Sequence, residues 1–190
     1  MSDWLRERVM NFTFARGAIQ QVPSALPWFE KLIIHNNVGC VLELGTGVGS
    51  LSVMFGILCP DRVITCDRED RLTRHIKSVL LRLGVDCVRG DLYDEGFRDL
   101  LMILINQVRI NGQALLLLCD GGDKHKDFAM YAPRVLPGDV VACHDLASEF
   151  IPERSDILQI ADNNKLERIL VEEMNKDKTR LAVYKKRTAE

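Results

Sequence analysis

A chain of 190 residues has the size of one domain, or of one domain with an arm. Its 47% hydrophobic and 27% charged residues are the proportions of an ordinary globular protein, which excludes a disordered or fibrous class. With 25 basic against 27 acidic residues, a net charge of −2 and no block of like charge, no surface dedicated to nucleic acid or to a membrane is expected.

The arm spans residues 1–22, and the domain proper is expected over 23–190. Trp4, Phe12 and Phe14 must pack on something: the core, a lid position over a substrate, or a second subunit in a homodimer. No charged-then-apolar leader opens the chain, and runs such as "ALLLLC" are too short to span a bilayer, so a cytoplasmic protein is expected. "PSALPWFEKLIIHNN" then predicts a helix leading into the core.

From there an apolar strand followed by an amphipathic helix recurs. The strand-like runs are Gly39 to Gly45, Arg62 to Asp67, Asp86 to Asp91, Gln113 to Asp120 and Asp139 to Asp145. Helical patterns lie between them. In the second, Leu72, Ile76, Val79, Leu80 and Leu83 follow a 3.6-residue period that stops at Gly84. The fourth starts at Asp123, a cap for the helix, and ends at the Pro137-Gly138 turn. Such alternation means a parallel α/β sheet covered by helices on both faces. "ERILVEEM" and "TRLAVYKK", joined by "NKDK", read as two further strands around a tight turn. The sheet is therefore expected to have seven strands, mostly parallel, and to end in an antiparallel hairpin. Cys40, Cys66, Cys87, Cys119 and Cys143 fall in strand-like runs and Cys59 ends a helix. With no CxxC pair, all six are expected to be buried, reduced and structural.

"VGCVLELGTGVGSLSVMF" (Val38 to Phe55) carries the first chemical signal. In an open parallel sheet, ligands bind beyond the carboxyl ends of the strands, where strand order reverses. Glycines there let the backbone approach a ligand, and the next helix begins at once. A dinucleotide fingerprint has the spacing GxGxxG. Here Gly45, Gly47 and Gly49 give GxGxG, and Ser50 takes the third dinucleotide glycine's place. Glu43 stands two residues ahead, a carboxylate that would repel a pyrophosphate and attract an ammonium.

"ELGTGVG" resembles the first motif of class I S-adenosylmethionine-dependent methyltransferases, E/DxGxGxG. The resemblance implies a Rossmann-like fold and S-adenosylmethionine (SAM) as cofactor. Glu43 would meet its methionyl ammonium, and Gly45, Thr46, Gly47 and Gly49 would lie beneath it. Asp67, 22 residues after Gly45, would accept from the ribose hydroxyls with Arg68 beside it; such a carboxylate serves NAD equally. Asp91 and Leu92 would lie near adenine. Each aspartate alone could instead be a helix cap or a solvated turn residue.

The fourth strand runs into "CDGGDKHKDF" and the fifth into "ACHD", so both ends should face the same cleft. Methyl transfer requires the acceptor aligned and its proton removed; for a hydroxyl, a divalent metal lowers the pKa. Asp120 and Asp145 offer hard oxygens for Mg²⁺, and the neighbouring His144 would tilt the preference toward Mn²⁺. Hydrogen bonding of His144 to cofactor or loop is the competing reading. Lys124 and His125 could serve as base or be solvated charges in a first helical turn; Asp120 and His144 are counted with them as catalytic candidates, and Asp120 also as a cofactor contact.

"GAIQQVPSALPWFEKLI" and "CDGGDKHKDFAMYAPRVLPGDVVACHD" are similar to the lead-in and the late segment of the cephalosporin hydroxylase-like and rhamnosyl O-methyltransferase family. That family, like the catechol-type O-methyltransferases, places an aspartate after the fourth strand and an acidic pair after the fifth on Mg²⁺. Asp120 and Asp145 match by position, and His144 replaces the first acid of the pair. O-methylation of a small hydroxylated molecule or sugar is the expected activity. A non-catalytic SAM-binding scaffold and a nicotinamide-dependent oxidoreductase stand as alternatives.

Overall fold

The computed structural model describes residues 21–59, 61–108 and 112–188. Apart from Gln21 and Val22, the expected arm with Trp4, Phe12 and Phe14 lies outside them.

In chain order the elements are α1 (Leu26–His35), β1 (Val38–Leu44), α2 (Ser50–Leu58), β2 (Arg62–Asp67), α3 (Arg74–Arg82), β3 (Val85–Arg89), α4 (Glu95–Val108), β4 (Ala114–Cys119), α5 (Lys124–Tyr131), β5 (Val140–Cys143), α6 (Ser155–Asn163), β6 (Leu166–Ile169), α7 (Val171–Lys176) and β7 (Ala182–Lys186). The seven strands form one sheet in the order β3-β2-β1-β4-β5-β7-β6. The first five are parallel; β7 runs antiparallel to both β5 and β6.

Two layers of apolar packing sandwich the sheet. One joins α1, α2 and α3 through Phe29, Phe55 and Leu80; the other joins α4, α5 and α6 through Leu101, Phe128 and Ile157. Central strands lie between both layers, which is why all seven residues of β1 are buried and its sequence, Glu43 apart, is apolar without alternation. The β3 edge is different: it alternates, and its Cys87 is exposed, contrary to the expectation of six buried cysteines. An edge strand has one neighbour and thinner cover, so half of its side chains face water. All six thiols are free.

Local chemistry sets the helix starts. The Thr73 hydroxyl accepts from the Ile76 N–H and the Asp123 carboxylate from the Lys126 N–H, caps worth about 1 kcal/mol each. Two elements depart from expectation. "VEEM" is helical, so β6 and β7 pair without the tight "NKDK" turn. Leu170 takes φ +58, which breaks the strand, and Glu172 and Glu173 then suit the first helical turn, with Met174 buried beneath them. The helix α6 was not anticipated. Its Ile157 and Ala161, four residues apart, are buried on one face.

Candidate active site

Leu44 lies opposite Cys66 of β2 and Cys119 of β4, and Cys119 lies opposite Cys143 of β5. These strands therefore end almost level, and the chain leaves β1 and β4 in opposite directions across the sheet. The crevice at that switch opens into a cleft of about 840 Å³. Gly45 fits only as glycine: its φ is +99, and an added Cβ would stand 2.3 Å from the Asp120 carbonyl oxygen. Gly49 serves packing, since a Cβ there would strike Leu72 and Ile76.

Glu43 lines the cleft yet is only 1% exposed. Its Oε2 accepts from the Ser52 hydroxyl and, at 2.6 Å, from the Thr65 hydroxyl. Thr65 has one hydrogen to give, so Thr46, 2.7 Å away, donates to Thr65. Among the described residues no cation pairs with Glu43, and burial pushes its carboxyl up to about 8. Next door, the two oxygens of Asp67 accept from the Gly47 and Glu69 N–H groups, both at 3.0 Å. Each keeps a further lone pair for a hydroxyl. Arg68 lines the cleft at its exposed rim, where its carbonyl accepts from Arg89. Asp91 lies two residues past the end of β3, not at the strand tip; its carboxylate accepts from the Tyr93 N–H and closes a turn. Leu92 is held by its carbonyl, which accepts from buried Tyr131 at 2.8 Å.

Across the switch point the pattern changes to crowded charge. One oxygen of Asp120 accepts from Gln21 Nε2 at 2.6 Å, and one oxygen of Asp145 meets Arg180 at 2.9 Å. The remaining two, Asp120 Oδ1 and Asp145 Oδ2, each stand 3.3 Å from His144 Nδ1. Lys124 Nζ lies 3.6 and 3.5 Å from the same two oxygens and donates to Glu149 at 2.6 Å. Burial alone would lower the Lys124 pKa, but the Glu149 hydrogen bond and the charges of Asp120, Glu149 and Asp145 leave it raised. A lysine base near neutral pH needs the opposite direction. Donor atoms of Asp120, His144 and Asp145 all lie within 4.8 Å of one another, a spread compatible with one coordination shell. The His144 Nε2 and Gln21 Oε1 atoms are buried without a partner.

His125 is set apart. It is absent from the cleft lining, its Nε2 accepts from the Ile151 N–H at 2.9 Å, and its ring stacks on Phe150. It thereby ties α5 to the loop after β5. In that loop the Asp145 carbonyl accepts from the N–H groups of Ser148, Glu149 and Phe150, holding Asp145 at φ +58. The "DGGD" loop is braced by buried Asp127, which accepts from the Gly121 N–H and from Tyr93; burial pushes its carboxyl up to about 7.

Gln21, Glu149 and Arg180 were not anticipated as site residues. Gln21 had a signal, its place in "QQVP" of the lead-in. Arg180 was hidden inside a run read as strand, whereas β7 starts only at Ala182. Glu149 sits in an irregular loop with no pattern to find it.

No family model and no curated protein sequence matches the chain. Solved structures match its fold. CmcI with SAH (S-adenosylhomocysteine) has a TM-score of 0.61 at 13% identity, over 92% of this chain and 81% of that one. CmcI with Mg and SAM has a TM-score of 0.59 at 13% identity, over 87% and 72%. The O-methyltransferase from Bacillus cereus with SAH has 0.58 at 14%, over 98% and 92%. The fold is thus that of Rossmann-like methyltransferases.

Proposed function

We propose that the chain is a SAM-dependent methyltransferase that O-methylates a small hydroxylated molecule or sugar, with a divalent metal at Asp120, His144 and Asp145. The observation that carries this reading is Glu43. A carboxyl group buried at a ligand-binding switch point, with hydroxyl donors and, among the described residues, no cation of its own, suits a ligand that brings the positive charge. SAM has an ammonium and a sulfonium; NAD would bring a diphosphate to the same place.

When bound, SAM supplies an electrophilic methyl on a positively charged sulfur. The chain's residues do the rest. Glu43 holds the amine, Asp67 the ribose, and the turn at Asp91 and Leu92 borders the adenine. Asp120 Oδ1 and Asp145 Oδ2 face the acceptor side, where a metal would lower the pKa of the acceptor hydroxyl and orient it. The donor set fits such an ion: two carboxylate oxygens, each with its other oxygen tied off, and a histidine between them. CmcI, which shares the fold, is described with Mg and SAM. Lys124, held as an ammonium, cannot take the acceptor proton, which a metal-lowered pKa would release to water.

Calorimetry with SAM, SAH and NAD tests the assignment. SAM and SAH should bind and NAD should not, and Glu43→Ala with Asp67→Ala should lower SAH affinity by about a hundredfold or more. Binding of NAD in preference, or SAH affinity untouched by the double substitution, rejects it. Cofactor binding without methyl transfer to any hydroxylated acceptor, in the presence of Mg²⁺ or Mn²⁺, would favour the scaffold reading.

A further inference from the structure

Two aspartate oxygens, Asp120 Oδ1 and Asp145 Oδ2, face a common point, and the chain already directs a cation of its own there. Lys124 is 7% exposed and its ammonium lies within 3.6 Å of both oxygens. It has a second seat. Glu149, whose side chain is half exposed, accepts a hydrogen bond from Nζ at 2.6 Å, shorter than either aspartate contact. The lysine is the first residue of α5, so its backbone is fixed while its four-carbon side chain can swing between partners.

A divalent ion bonded to either aspartate oxygen at about 2.1 Å would lie within roughly 6 Å of this ammonium. In a half-buried site the repulsion between the two cations is weakly screened. Both are drawn by the same pair of oxygens, so one is favoured only as the other withdraws. Glu149 already holds the ammonium, so the lysine can move off the aspartates without losing its charge partner.

We propose that Lys124 is a tethered cation that competes with a divalent ion for Asp120 and Asp145, and that Glu149 is the positioning residue that draws it aside. The proposal rests on the metal-ligating reading of Asp120, His144 and Asp145. It makes the metal affinity of this site a property of α5 and of the loop after β5, not of the ligands alone. Before metal arrives, Lys124 keeps the two carboxylates from repelling one another.

Mn²⁺ alone, titrated into the full chain without cofactor or acceptor and followed by the electron paramagnetic resonance of the free ion, tests both levels. Lys124→Met keeps the side chain's length and removes the charge, and should tighten Mn²⁺ binding by about tenfold or more. Glu149→Gln takes away the second seat and should weaken binding severalfold. Asp145→Asn removes a ligand and should abolish it. Wild type, Lys124→Met and Glu149→Gln binding alike would overturn the tethered cation and leave the metal site standing. No uptake by any variant, Lys124→Met included, would overturn both. Should Lys124→Met fail to fold, Glu149→Gln decides, because its side chain is exposed: unchanged or tighter binding there rejects the proposal.

Discussion

The two halves of the cleft handle charge in opposite ways. At the tips of β1 and β2, Glu43 is buried against hydroxyls and half-buried Asp67 accepts from backbone N–H groups, with no cation on Glu43 among the described residues. At the tips of β4 and β5, Asp120 and Asp145 are tied to Gln21, Arg180, His144 and Lys124. The first half leaves a carboxyl group without a counter-charge, which a cationic ligand would supply; the second has neutralised itself and would have to rearrange to accept one. A buried carboxylate without a counter-charge is driven toward its protonated form.

Removing the physical join between the halves should have the largest effect. Gly45→Ala forces a Cβ against the Asp120 backbone at a positive φ, so about 3 kcal/mol or more of stability should be lost. Chemical denaturation measures it; a loss below about 1 kcal/mol would mean that the β1 and β4 tips are less closely joined than described.

Glu43→Gln sharpens the contrast without adding bulk. The folded protein holds the Glu43 proton up to about pH 8, against an ordinary 4.5, so between those values the native state binds more protons than the unfolded chain. The stability contributed by the raised pKa is full below 4.5 and drains away as pH rises through 8. The glutamine variant should lose that slope and be the more stable protein above pH 8. Its SAM affinity should nevertheless fall about tenfold or more there, since the carboxylate that meets the ammonium is gone. Wild-type SAM binding at neutral pH should release a proton, seen as a buffer-dependent heat; a heat independent of the buffer would place the ammonium elsewhere.

The smallest effect is expected from Gln21→Ala. It frees one Asp120 oxygen at the cleft's edge and should cost about 1 kcal/mol of stability. Because Gln21 serves the acceptor half, SAH affinity should change less than about threefold while Mn²⁺ affinity falls. The reverse pattern would assign Gln21 to the cofactor half.

Residues whose role follows from chain-local chemistry were legible without coordinates. The apolar strands, the glycine run behind Glu43 and the helix start at Asp123 depend on neighbours a few positions away, and the seven-stranded layout followed from them. Position after a strand tip also sufficed to nominate Asp67, Asp120, His144 and Asp145 for the cleft, because parallel strands in register end at one level. Strand periodicity misled at the chain's end, where Leu170 at φ +58 turns an apolar run into a helix.

Side-chain direction and partners separated by long stretches of chain obey no such local rule. Lys124 and His125 are adjacent in sequence, yet a helix turns successive side chains by about 100°, so one enters the acidic cluster and the other stacks on Phe150. Gln21 and Arg180 reach Asp120 and Asp145 from opposite ends of the chain because β7 docks beside β5 and α1 follows from the cleft's rim. Composition and pattern settle which groups are available at the sheet's edge, through propensity and periodicity. Which of them are paired, buried or left wanting a charge is settled by packing, since desolvation and Coulomb energy depend on distances that no linear spacing encodes.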